Sequence, residues 1–374
     1  MPDQRRVDLD FVRVIAFGVL VLYHVSMIYS THHFVFKARL QVPGLDVFAL
    51  FTHPWRMSLI FFISGVATAF ISKKVSPGAL MRRRSRQLSV PLFLGLVFLV
   101  PPQLYVQFVG NEGMRMTFGD VVRNYFTLGE LAHPTGNIFH IYMYHVWYLA
   151  YLLIYTLILA SVLSVLPAVT GKLSLAAGAI MRGPNLVLLP VYYLFVVRMI
   201  LEPIFGESLV LVNDWYAHAV YMPMFLFGFF LTGSEDFWNG VSRYRRIALT
   251  MAVIGAAVLL TDHYAPGGLR YQGLKIAAYA VVQWSAVVAV LGFARTHVVR
   301  RSPTIDYLNR GILTYYLLHQ PVMLLFAHWL QANGLENGSS ALVVTLYTGL
   351  FCVIAFELVR ALRGAVVQTV ATDR

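Results

Sequence analysis

Ten residues separate Arg13 from His24 inside an apolar run of this 374-residue chain. Eleven steps of ~100° bring His24 back to nearly the helix face of Arg13, three turns and roughly 16 Å further on. An imidazole takes a proton from a hydroxyl near neutral pH, and a guanidinium holds an anion. One helix therefore offers an anion anchor at one end and a base deeper in. Asp8 and Asp10 sit at the mouth of the same run, and Asp10 joins Arg13 and His24 as a catalytic candidate. Arg56, His145 and His319 interrupt three other apolar runs. Arg82, Arg83, Arg84 and Arg86 stand just before a further one. Such a cluster either anchors the chain at a membrane surface or clamps phosphate groups bidentately.

These groups need a frame, and the composition says which kind. Hydrophobic residues make up 58% of the chain and charged residues 12%, against roughly 25% charged in a soluble domain. That excludes a Rossmann enzyme, a soluble repeat array and a disordered chain. A crossing helix needs about 20 apolar residues. Ten such spans are expected, near 11–30, 48–71, 88–109, 138–164, 186–204, 215–233, 246–261, 273–293, 309–330 and 341–362. The fold class is all-α, a polytopic membrane helix bundle. One membrane domain takes up residues 1–374, its transmembrane core about 9–362, with no soluble domain.

The net charge of +12 is explained by topology rather than by nucleic acid. With the N-terminus inside, most of the 29 Lys and Arg fall in inner segments, among them Arg5, Lys73, Lys74, the 82–86 cluster, Arg245, Arg300, Arg301, Arg360 and Arg374. Lys37, Arg39, Arg115, Arg123 and Arg270 fall in outer loops. Both termini are then cytoplasmic, and the longest non-apolar stretch, about 110–137, is an outer loop. A multi-pass inner-membrane location is expected, with the lipid bilayer as the first partner.

Ionisable groups inside a bilayer are costly and so are functional candidates. Counted along their spans at 1.5 Å per residue, His24, His319, His145 and Arg56 fall in one layer on four different spans. That is the arrangement of a site built between helices. No carboxylate is expected at mid-membrane, which weighs against a proton- or sodium-coupled transporter. His32, His33, His53, His133, His218, His263, His297 and His328 fall in loops or near interfaces and are read as carrying no chemistry. His32 and His33 are adjacent, but no third ligand stands near them in sequence, so no metal site is expected. The lone Cys352 makes neither an internal disulfide nor a multi-cysteine metal site.

Five stretches resemble the acyltransferase 3 family of integral membrane acyltransferases. They are Leu9-Asp10-Phe11-Val12-Arg13 with His24 ten residues on; Trp55-Arg56-Met57-Ser58-Leu59-Ile60-Phe61-Phe62-Ile63-Ser64-Gly65; the arginine cluster before Pro91; His145-Val146-Trp147-Tyr148-Leu149; and Tyr315-Tyr316-Leu317-Leu318-His319-Gln320-Pro321. Within the family, the likeness is greatest to the branch associated with succinylating osmoregulated periplasmic glucans. The family's Arg/Ser-x-x-Arg motif fits Arg83 with Arg86. Counted back from Pro91, it falls instead on Arg84 and Gln87, where the second charge is missing.

The resemblance implies acyl transfer from a cytoplasmic acyl-CoA, succinyl-CoA or acetyl-CoA, to a carbohydrate hydroxyl on the periplasmic side. Acyl-CoA is then a donor substrate, and no permanently bound cofactor is expected. Arg13 and the 82–86 arginines would hold CoA phosphates. His24 would act as general base or transient acyl carrier. Arg56, His145, Trp147 and His319 would line the acceptor site. A transporter or flippase for a sugar or lipid-linked precursor is the competing class. It shares the spans but gives no reason for the Arg13–His24 stripe beside an arginine cluster. Sequence alone leaves the oligomeric state open.

Overall fold

The computed structural model describes residues 6–129, 141–265, 268 and 271–372, and among them the regular structure is helical, with no strand. The helices, in order, are α1 (Val7–Tyr29), α2 (Leu45–Ser72), α3 (Pro77–Asn111), α4 (Phe118–Phe126), α5 (Tyr144–Val165), α6 (Pro167–Ile180), α7 (Asn185–Phe205), α8 (Trp215–Leu231), α9 (Glu235–Tyr264), α10 (Gln272–His297), α11 (Pro303–Ala332) and α12 (Ser340–Thr372). Eight of them, α1, α2, α3, α5, α7, α9, α10 and α12, are long and apolar enough to cross a membrane by length and composition. The other two expected spans fall on α8, apolar but only 17 residues long, and on the 30-residue α11, which is not among the helices apolar enough to cross by that measure. Residues 138–140 of the expected fourth span lie outside the described residues, as do Arg5, His133, Arg270 and Arg374.

Two helices were not foreseen. α4 falls in the expected outer loop, of which residues 130–137 lie outside the described residues. It forms because Thr117 and Asp120 cap each other's backbone N–H, while Val121 and Tyr125, four apart, bury one face. α6 follows α5 almost directly, turned by Pro167 at its first position. α3 is a single rod widened to π-helix at Gly95–Leu99 and Val106–Asn111. The widened turns flank Pro101 and Pro102, which cannot donate to the helix ladder.

Prolines pose the main local problem, because each removes the N–H that would satisfy the carbonyl four residues back. In lipid, water is not there to replace it. Three of these carbonyls are taken by side chains from other helices. Pro190 frees Leu186 O, which accepts from Trp284 Nε1 at 2.7 Å. Pro223 frees Ala219 O, which accepts from Tyr193 Oη at 2.8 Å. Pro321 frees Leu317 O, which accepts from His145 Nε2 at 2.9 Å. Each kink thus becomes a hydrogen-bonded junction between helices.

α2 lies in the interior, against α1, α8 and α10. Its crossing with α8 is backbone on backbone. A Cβ on Gly65 would stand 1.9 Å from Phe225 O, and one on Gly228 would stand 1.9 Å from Phe62 O. Only glycine permits that approach. Leu342, Leu346, Leu350, Leu358 and Leu362 of α12 form an exposed apolar stripe at helical spacing, a face suited to lipid.

The proline junctions make a direct prediction. Trp284→Phe leaves Leu186 O buried without a donor and should cost ~1–3 kcal/mol. In a Pro190→Ala background the restored backbone amide takes that carbonyl, so the cost of Trp284→Phe should shrink. Thermal unfolding of the four purified proteins measures the coupling, and equal losses in both backgrounds would contradict it.

Candidate functional site

Pro321 begins the construction of the site. Because Leu317 O lacks its helical donor, it holds His145 across from α5. His145 is delivered by a tight turn, Tyr144–Val146, with Tyr144 in the left-handed region at φ 41°. Such a backbone is uncommon for a residue with a Cβ and persists where surroundings fix it. Tyr316 Oη donates to the carbonyl of His145 and locks the same turn from α11.

One turn along α11, His319 Nδ1 lies 2.6 Å from Tyr316 O. A carbonyl only accepts, so His319 carries its proton on Nδ1. In the neutral ring Nε2 is then an acceptor. That atom lies 3.1 Å from His24 Nδ1, so His24 Nδ1–H donates to it. The proton of neutral His24 is thereby fixed on Nδ1, and Nε2 keeps the lone pair. His24 Nε2 takes no hydrogen bond from the described residues. The His24 ring lies between His319 and Phe34, with centroids at 5.2 and 5.8 Å and planes within 20° of parallel. His145 meets His319 edge-on at 5.3 Å. By the same reasoning His145 carries its proton on Nε2, and its Nδ1 is a buried acceptor with no partner among the described residues.

Two cavities meet beside this cluster. The first is lined by His24, His53, Arg56, His145, Trp147, Glu207 and Gln320, among others. The second is lined by Arg13, Ser64, Arg84, Gln87 and Tyr148, among others. Leu20, Met57 and Tyr316 line both, so the two are separated by little more than these three side chains.

The sequence candidates divide accordingly. His24, His145 and Arg56 line one cavity, and Trp147 joins them, packed against Phe61, Tyr151 and Tyr221. His319, expected to line that site too, is fully buried behind it and touches His24 and His145 instead. Arg13 lines the second cavity. Of the four clustered arginines, Arg84 alone lines that cavity; Arg82, Arg83 and Arg86 are exposed. Arg84 is buried, donating to Thr68 Oγ1 at 2.7 Å and to Gln87 Oε1 at 3.2 Å. The Arg84–Gln87 spacing is therefore the one that faces the cavity. Asp10 is not with His24. It lines a separate small pocket with Arg300 and Arg301 at the N-terminal end of α1.

Sequence reasoning missed His53 and Glu207. His53, read as carrying no chemistry, lines the His24 cavity, and its Nδ1 accepts from Tyr23 Oη and Arg56 Nη1, both at 3.0 Å. The one available signal was its place three residues before Arg56, on the same helix face. Glu207 lies in the segment between α7 and α8, and it accepts from Tyr221 Oη at 2.6 Å. Its distance in sequence from every other candidate gave no signal. Arg56 itself is buried, with Cζ 3.3 Å from the Tyr23 ring centroid and no carboxylate within 4 Å among the described residues. A buried cation in that state can receive an anionic ligand group.

Comparison with known proteins agrees with this architecture. A family model described as an acyltransferase domain matches residues 6–360. Glucans biosynthesis protein C of Salmonella gallinarum is 23% identical over 371 residues, covering 96% of this chain and 91% of its own. The protein of the same name from Escherichia coli is 22% identical over 375 residues, covering 96% and 92%. No solved structure matches the chain.

The tautomer chain can be read directly. Nitrogen-15 histidine NMR should place the proton of neutral His24 on Nδ1 in the unaltered protein. His319→Ala removes the acceptor and should shift His24 toward the Nε2–H form that free imidazole side chains favour. An unchanged His24 signal in His319→Ala would contradict the assignment.

Proposed function

The chain belongs to the acyltransferase domain family, and on that premise we propose that it moves an acyl group from cytoplasmic acyl-CoA to a hydroxyl of a periplasmic glucan. The observation that carries this reading is His24 in the lining of one cavity, with a second cavity reached past Leu20, Met57 and Tyr316. The second is equipped for an anionic donor by Arg13 and Arg84, and the His24 cavity opens beside Arg56, Gln320 and Trp147. The charge pattern supports the orientation, with the Arg84 cavity on the cytoplasmic side of an inner membrane and both termini there. The glucan class follows the names of the relatives.

In this mechanism Arg13 and Arg84 hold CoA phosphates as charge-assisted hydrogen-bond donors. The pantetheine arm passes Leu20, Met57 and Tyr316 and brings the thioester carbonyl to His24. The acceptor hydroxyl enters from the other cavity. His24 Nε2 takes its proton as the oxygen attacks the thioester carbonyl carbon. The tetrahedral intermediate collapses, the C–S bond breaks, and the proton on Nε2 passes to the departing CoA sulfur. The products are an ester and free CoA, so the base returns to its starting state. His319 Nε2 accepts from His24 Nδ1–H throughout and steadies the imidazolium, as a carboxylate does in a hydrolase triad. Arg56 favours a donor whose acyl group ends in a carboxylate, succinyl over acetyl.

Mass spectrometry of envelope glucans from a deletion strain tests this. Wild type should restore a succinyl substituent, and His24→Ala should restore none, consistent with a loss of about 10²–10⁴ in rate for a general base. With purified protein, Arg84→Ala should raise KM for the donor about tenfold while Arg82→Ala stays near wild type. An acetyl substituent would keep the mechanism and refute the Arg56 preference. Unmodified glucans with a shifted distribution of precursor across the membrane would favour a transporter instead.

A further inference from the structure

The outer ends of α1, α2 and α9 converge on a second cluster of chemistry-bearing side chains. His32 follows α1, Asp46 lies in the first turn of α2, and His263 lies in the last turn of α9. One potential ligand atom from each lies within 4.8 Å of the other two. The His32 and His263 rings have centroids 4.9 Å apart. His32 Nε2 stands 3.8 Å from Asp46 Oδ1 and is sealed from solvent without a hydrogen-bond partner among the described residues. Thr31 donates to Asp46 Oδ1 from both its N–H and its hydroxyl, at 2.8 and 2.6 Å, and so fixes the carboxylate.

We propose that His32, Asp46 and His263 bind a divalent transition-metal ion of the zinc class. Two imidazoles and a carboxylate are the donor set that Zn²⁺ accepts, with water completing the tetrahedron. Bonds of about 2.0–2.1 Å require ligand atoms about 3.3 Å apart, so the three close in on the ion from their present spacing of at most 4.8 Å. Burial first, and then the neighbouring His263, lower the pKa of His32, the direction that favours a lone pair over a proton. Two lysines stand nearby, and both are engaged. Lys275 pairs with Asp262 at 2.7 Å, and Lys37 Nζ donates to the carbonyls of Met27 and Ser30.

The ion would fasten the segment between α1 and α2 to the end of α9. That segment also carries Phe34, which stacks on His24. His32 and His263 line a cavity that shares Tyr23, Met27, His33 and His53 with the His24 cavity. A bound metal would therefore hold one wall of the site without touching the reacting atoms. This inference stands apart from the proposed acyl transfer and is tested without an activity assay.

The test uses full-length protein in detergent, purified through a tag that contains no histidine and stripped with a chelator. Zn²⁺ is titrated in competition with a chromophoric chelator. One equivalent should bind, and it should raise the unfolding temperature. His32→Ala and His263→Ala should each weaken binding by at least about tenfold and abolish the thermal shift. His33→Ala, which alters the exposed neighbour, should leave both unchanged. His263→Gln repeats the test should His32→Ala not yield folded protein. Failure of the unaltered protein to bind one equivalent would overturn the proposal. So would binding that survives His263→Ala and His263→Gln, or binding lost equally in His33→Ala.

Discussion

His319 can accept a hydrogen bond from His24 because its own Nδ1 proton is committed to the carbonyl of Tyr316. That commitment costs the helix nothing. A carbonyl has two lone pairs, and an ordinary backbone donor uses one of them. Next to it, Pro321 withholds a donor from Leu317 O, and His145 fills the gap. A single stretch of α11, Tyr316 to Pro321, therefore fixes the proton positions on His145, on His319 and, through His319, on His24. The tautomer of His24 is set by backbone geometry rather than by a charged partner. In a low-dielectric interior this avoids the desolvation cost of a buried carboxylate.

The same logic runs through the bundle. Trp284 and Tyr193 answer the prolines of α7 and α8 as His145 answers that of α11. An unpaired carbonyl is costly in a membrane interior, and at these three prolines the partner comes from another helix. Those pairings tie distant helices together without a hydrophobic driving force between them. The glycine crossing of α2 and α8 adds close backbone contact. Together they give the rigid walls on which a site needing sub-ångström placement depends.

Hydropathy and helical period made the frame legible. Eight of the expected spans fall on helices long and apolar enough to cross a membrane, because twenty-residue apolar runs in this composition have one stable solution. The pairing of Arg13 with His24 on one face followed from the 3.6-residue period. Arg84 was legible too in retrospect. Leu80, Arg84 and Leu88, spaced by four, share a buried stripe that Arg82, Arg83 and Arg86 do not. What the sequence withheld was contact between residues far apart in the chain. His24 and His319 are 295 residues apart, and no local pattern says that they touch. His263 lies 231 residues beyond His32, and Asp46, 14 residues on, sits on a separate helix, so no local pattern joins the three. Asp10 misled because it shares a segment with Arg13 but lies more than three turns from His24.

The proposed mechanism places donor and acceptor in separate cavities that share Leu20, Met57 and Tyr316, with His24 lining one of them. The most direct measurement is transfer in sealed proteoliposomes of known protein orientation, with labelled acyl-CoA and glucan acceptor placed independently inside or outside. Labelled glucan should form only when acyl-CoA faces Arg84 and acceptor faces Arg56, and it should vanish with His24→Ala. Equal transfer with both substrates on one side of the bilayer would contradict a base shared between opposite cavities.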